Sequence, residues 1–122
     1  MPVRALRGAT QVDRDDREAV IDATTELVQT VLERNRLDTD ALISIVFTTT
    51  PDLVSEFPAY AARSIGITDV PFLCAAEIDV PGAMPRVIRL LALVEAGFSR
   101  AEARHVYLRG AAALRTDLPR DE

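Results

Sequence analysis

The sequence predicts an α+β fold: a mixed β-sheet packed by one long amphipathic helix and a few short helices. Three observations predict it. Only one stretch, Asp16 to Arg36, holds helical spacing over several turns. Several short stretches are β-branched or alternate in polarity, separated by proline and glycine. A chain of 122 residues that is 48% hydrophobic suits one domain, residues 1–122, with a modest core.

The elements follow in order. Residues 2–7 (PVRALR) alternate and read as a strand ending at Gly8, with Gly8-Ala9-Thr10 as a turn. The acidic run Asp13 to Asp16 suits the first turn of the long helix. That helix places Val20, Ala23, Leu27, Val28, Val31 and Leu32 on one face and charged residues elsewhere. Residues 37–42 form a connection or a single capped turn, and Ile43 to Thr49 is a strand. Thr50-Pro51 reads as an N-cap and first position of a short helical start. A second short helix, Ala59 to Ser64, ends at Gly66. Val70 to Ala75 is a strand, and Pro81-Gly82 turns the chain. Arg86 to Glu95 fits strand or helix by composition, and it is read as a strand partly on the resemblance given below. Ser99 to Ala103 is a short capped helix and Arg104 to Arg109 a strand. Residues 111–118 form a turn-rich tail, with 119–122 frayed.

The order is therefore β-α-β-α-β-β-α-β. One long helix covers one face of a small sheet. The strand at 86–95 is apolar on both faces, so its second face needs cover as well, and a homo-oligomer supplies it economically.

Composition excludes several classes of function. Net charge is −5 and the pI about 4.9, which argues against a nucleic-acid partner. No apolar run is long enough to span a bilayer, and MPVRALRG lacks the apolar centre of a signal peptide. One cysteine makes no intrachain disulfide, so a reducing cytoplasm is expected. There is one histidine, His105, no metal-ligand spacing and no phosphate-cradling glycine loop. No cofactor and no metal are expected.

The chemistry concentrates between Cys74 and Leu91 (CAAEIDVPGAMPRVIRLL). Arg89 is the odd residue, since its neighbours from Val87 to Val94 are all apolar. A guanidinium there needs an anion. It is either a strand-lip partner for a surface carboxylate or part of an anion-binding site. Arg7, Glu77 and Tyr107 also fall at strand ends. Arginines bind carboxylates, and a glutamate and a thiol hydrogen-bond a hydroxyl. The set suits a small polyanion whose reaction needs positioning and charge stabilisation.

The segments R-x-x-R-G-A-T (Arg4 to Thr10), T-P-D-L…F-P-A-x-A-x-R (Thr50 to Arg63), C-x-x-E-x-D-V (Cys74 to Val80), the arginine at 89, and R-H-V-Y-L…L-R-x-D-L (Arg104 to Leu118) resemble the small monofunctional chorismate mutases of the trimeric mixed α/β class. The match runs in order over nearly the whole chain. The resemblance implies a trimeric pseudo-α/β barrel with active sites at subunit interfaces. It implies the Claisen rearrangement of chorismate to prephenate, on the route to phenylalanine and tyrosine. Arg7 matches the residue that grips the side-chain carboxylate, helped by Tyr107, and Arg89 the donor to the ether oxygen. Glu77 and the backbone and thiol of Cys74 match the contacts to the ring hydroxyl. Phe57, Ala59, Leu73 and Leu114 match pocket walls. Arg63 and Arg115 match cations near the mouth that act on the ring carboxylate. Tyr60 stands where a lysine is common, so one rim cation is missing. Leu73 stands where a threonine can occur, and Pro81-Gly82-Ala83 replaces a more glycine-rich turn.

Two other readings are weighed beside this one. One is a trimeric enamine or imine deaminase-like protein, for which Cys74-Glu77 followed by Arg89 is not expected. The other is a non-catalytic trimer that binds an aromatic carboxylate, which activity on chorismate would exclude.

Overall fold

The computed structural model describes residues 1–114. The expected tail beyond them, with Arg115, Leu118 and the frayed end, lies outside the described residues. The strands are β1 (Val3–Gln11), β2 (Leu42–Thr49), β3 (Phe72–Ala76), β4 (Val87–Glu95) and β5 (Val106–Tyr107); the helices are α1 (Arg17–Arg34) and α2 (Pro58–Ser64). They form one mixed sheet in the order β3-β2-β4-β1-β5. β4 lies at the centre, antiparallel to β1 and β2, while β3 and β5 add in parallel on the outer sides.

The predicted α+β class and the strand at 86–95 hold. β4 alternates: Ile88, Leu90, Ala92 and Val94 are buried, whereas Arg89, Leu91 and Glu95 are exposed. Both helices lie on the buried side. Leu27, Val28 and Val31 of α1 and Ala59 and Ala62 of α2 share one core with Leu6, Phe47 and Leu90. The opposite face is open in the protomer. It presents Val3, Leu73 and Leu91 at 54%, 63% and 43% exposure. No helix among the described residues is long and apolar enough to cross a membrane.

Four local expectations are corrected. Gly8-Ala9-Thr10 is strand, not turn: the β1–β4 ladder runs unbroken from Val3 to Gln11. Gly8 is there for space. A Cβ on it would lie 3.1 Å from Leu27 Cδ1, 3.2 Å from Val31 Cγ2 and 3.3 Å from Leu90 Cγ, so its absence lets α1 press onto the sheet. Thr50 does not start a helix. Its hydroxyl accepts from the Val87 N–H at 3.0 Å, and its own N–H donates to the Val87 carbonyl, so residues 50–53 make one turn spliced to β4. β5 is two residues, not six, because Ser99 and Glu102 close a 3-10 turn at Arg100–Glu102 and Leu108 leads into another at Arg109–Ala113. Beyond Arg109 the chain is therefore more regular than a turn-rich tail up to the last described residue.

The Pro81-Gly82 turn holds as expected. Ala83 N–H donates to the Val80 carbonyl, and Gly82 takes φ +85°, a conformation that favours glycine at that turn position.

Gly8→Val is expected to lower stability by about 1–3 kcal/mol through overpacking under α1. Urea unfolding checks this, and an unchanged midpoint would show that the helix has room to retreat.

Candidate active site

The sheet register assembles the polar residues. Cross-strand neighbours share a face. Ala75, Thr48, Arg89, Ala9 and Tyr107 form one row from edge to edge on the open face. The next row is Leu73, Val46, Leu91 and Arg7. Adjacent strands lie about 4.8 Å apart, so Arg89 and Tyr107, two strands apart, have backbones roughly 10 Å distant. Arg7 sits diagonally between them.

Arg89 has found its anion. Its Nε lies 3.1 Å from Glu77 Oε2. The hydroxyl of Thr48 donates to the same oxygen at 2.7 Å. Glu77 is placed by its backbone, whose N–H donates to the Thr49 carbonyl at 2.8 Å. Arg89 and Glu77 border a concavity of about 440 Å³ that also takes in Thr50, Asp52 and Met84. Among the described residues no carboxylate pairs with the guanidinium of Arg7 or of Arg63. Arg7 is anchored through its backbone, whose N–H donates to Nδ1 of His105 at 3.0 Å.

Cys74 is divided between two roles. The register sets it opposite Phe47, which is fully buried, so its side chain packs on the helix side, away from Arg89. Its amide is another matter. Ile45 N–H donates to Pro71 and Glu77 N–H to Thr49, which fixes the phase of the β2–β3 ladder. Odd-numbered residues of β3 face β2, so Cys74 turns its N–H and C=O to the free sheet edge.

The remaining expected residues scatter. Phe57, 67% exposed, lines a concavity of about 290 Å³ on the helix side together with Cys74. Ala59 is buried on the inner face of α2, and Arg63 is exposed on that helix. Leu73 stands on the open face, and Leu114 is half-buried after the last 3-10 turn. Within one protomer, then, Arg7, Arg89, Glu77 and Tyr107 gather on the open face, and Phe57 and Arg63 lie on the helix layer. Arg115 lies outside the described residues.

Two features escaped the sequence reading. Thr48 is one, and its only sequence signal was the polar interruption of an apolar strand. The other concerns the rim. The Arg17 guanidinium lies 4.8 Å from the centre of the Tyr60 ring and pairs with Glu56 at 2.9 Å. A cation therefore stands beside Tyr60 after all, delivered from α1. Glu56 also accepts from the Phe57 N–H, and Asp15 accepts from Val54 and Ser55, so Arg17 of α1 and the loop just before the helix fix the approach to Phe57.

Arg86 is structural. It adopts φ +55°, its N–H donates to Asp52, and its Nε donates to the Val12 carbonyl at 2.9 Å. These bonds set where β4 begins, three residues before Arg89.

Comparison with known proteins bears on this arrangement. A profile of the chorismate mutase type I family matches residues 3–118. The chain is 50% identical over 117 residues to chorismate mutase AroH of Thermus thermophilus, covering 95% of this chain and 96% of that protein. It is 36% identical over 119 residues to the AroH of Bacillus subtilis, covering 97% and 94%. A solved chorismate mutase from Clostridium thermocellum superposes with a TM-score of 0.89 at 40% identity, covering 90% of this chain and 98% of that one.

Arg86→Ala is expected to lower stability by about 1–2 kcal/mol, because the left-handed backbone stays while the bond to Val12 goes. Arg86→Gly should fall less, since glycine tolerates that φ. Thermal melts that rank alanine above glycine would show that this backbone carries no strain.

Proposed function

We infer the site chemistry from one premise: this chain belongs to the chorismate mutase type I family, and it is a chorismate mutase. The reaction converts chorismate to prephenate by breaking a C–O bond and forming a C–C bond within one molecule. Such a rearrangement takes no proton, nucleophile or electron from the protein. What a protein can add is a folded substrate conformation and charges set where charge develops.

Negative charge builds on the ether oxygen as the C–O bond lengthens. Arg89 supplies the compensating cation. Held by Glu77 in a row of the sheet, it need not reorganise when the charge appears, so it favours the transition state over the ground state. Arg7, with Tyr107 one strand away, takes the side-chain carboxylate. Glu77 and the Cys74 amide at the free edge of β3 take the ring hydroxyl. The Cys74 thiol, turned to the core, has no part in this reading. The observation that carries it is the Arg89–Glu77 pair on the open face, in register with Tyr107 and next to Arg7.

The pocket is completed by a second copy. Phe57, Ala59 and Arg63 lie on the helix layer, and Arg7 and Arg89 on the open face of the same sheet. One protomer cannot fold them together, whereas two neighbours can. The apolar open face provides the packing surface for a homotrimer of three sheets, with Leu114 closing each pocket. Arg63 then acts at the mouth on the ring carboxylate.

The test is steady-state kinetics followed by loss of chorismate absorbance. Arg89→Gln is expected to lower kcat on the order of a hundredfold to a thousandfold with KM little changed. Arg89→Lys is also poor, because a lysine cannot present its charge at the same place. Arg63→Ala mainly raises KM. Near-normal turnover in a folded Arg89→Gln protein would reduce this arginine to an ion-pair partner.

Analytical ultracentrifugation tests the assembly. A trimer is expected at micromolar concentration, and a stable, active monomer would remove the shared pocket.

A further inference from the structure

We propose that Thr48 is a positioning residue for the rearrangement: its hydroxyl fixes Glu77 so that the carboxylate orients Arg89 without capturing its charge. This rests on the roles of Arg89 and Glu77 given above, and on a contact that those roles did not require.

Thr48 Oγ1 donates to Glu77 Oε2 at 2.7 Å, and Arg89 Nε stands 3.1 Å from that same oxygen. One carboxylate oxygen is thus shared between a hydroxyl and a guanidinium. The two donors differ in stiffness. Thr48 is β-branched and sits in a paired stretch of β2, where its side chain has few rotamers. Arg89 is long and 44% exposed. The short bond to the stiff partner sets where Oε2 lies, and the guanidinium adjusts to it. Glu77 itself belongs to no strand, since β3 ends at Ala76, and its backbone is tied to the sheet through its N–H. Without the hydroxyl, nothing rigid holds the carboxylate. It would then settle squarely on the guanidinium, as a carboxylate and an arginine prefer. An arginine neutralised in that way has less charge to offer the ether oxygen. The carboxylate would also leave the position from which it meets the ring hydroxyl.

Geometry supports this over a structural role. Thr48 is half-buried on the open face beside Arg89 and contributes nothing to the buried core. Its neighbour Thr50, by contrast, is buried and bonded to the backbone of β4. The two threonines look alike in the sequence and do different things.

Three variants test the proposal: Thr48→Val, which keeps the shape and deletes the hydroxyl; Thr48→Ser, which keeps the hydroxyl; and Glu77→Gln, alone and combined with Thr48→Val. Chorismate kinetics are read on each, with circular dichroism and sedimentation as folding controls. Thr48→Val should lower kcat about tenfold, the scale of one hydrogen bond to a charged group, with a smaller change in KM. Thr48→Ser should retain most of the turnover. In the Glu77→Gln background Thr48→Val should add little, because Thr48 acts through Glu77. A Thr48→Val enzyme within about twofold of wild type overturns the proposal. So does an equal loss in both backgrounds, which would mark a packing effect. Should Thr48→Val fail to fold, a Thr48→Ser enzyme with a tenfold loss overturns it as well. The Arg89→Gln result separates the two readings. An active Arg89→Gln protein removes the chemistry assumed for this site. An inactive one with an indifferent Thr48→Val removes only the role of Thr48.

Discussion

Both α-helices among the described residues lie on one face of the five-stranded sheet, and most of the structure follows from that one-sidedness. The covered face is a conventional core around Phe47, Leu27 and Leu90. The open face mixes two kinds of residue. Val3, Leu73 and Leu91 are exposed and apolar, and beside them stand Arg7 and Arg89. Apolar residues at strand positions ask for a packing partner. Arginines among them ask for an anion. In the reading proposed above, a second copy of the chain answers the first demand and a dianionic substrate the second.

The tight packing behind the sheet serves the site in front of it. Gly8 lets α1 sit close enough to hold β1 flat against β4, and β1 is the strand that carries Arg7 beside Arg89's strand. The start of β4 is fixed from three directions by Asp52, Thr50 and Val12. A guanidinium that stabilises developing charge gains most when it is already in place. These backbone anchors make Arg89's position a property of the sheet, not of a loop.

Much of this was legible in the sequence, and the failures have physical reasons. The long helix was visible because its apolar spacing repeats over five turns. Composition left β4 open between strand and helix, and the family resemblance tipped it to strand; Arg89 stood out as exceptional, because a lone charge in an apolar run has few explanations. Gly8 was misread because a glycine after alternating residues signals a turn when only local conformation is weighed. Its actual reason, the side chains of Leu27, Val31 and Leu90, lies at distances in sequence that no local pattern encodes. Thr50-Pro51 was misread because the threonine hydroxyl, suited to capping a helix, is taken by the Val87 N–H. Thr48 left only a faint trace, since a threonine in a strand is unremarkable until its partner is known.

The sequence by itself determined which residue types were available and in what order: a one-sided helix, an apolar strand interrupted by Arg89, and a set of arginines with no competing catalytic equipment. It also carried the family resemblance over nearly the whole chain. Tertiary structure alone decided which of those residues meet. Register is long-range: Tyr107 reaches Arg89's row through Ala9, and Thr48 reaches Glu77 across 29 positions. The separation of Phe57 and Arg63 from Arg7 and Arg89 is also a tertiary fact, because it depends on which face of the sheet the helices cover. A linear pattern states what each side chain prefers. Only the fold determines which preferences are satisfied within the protomer and which are left open.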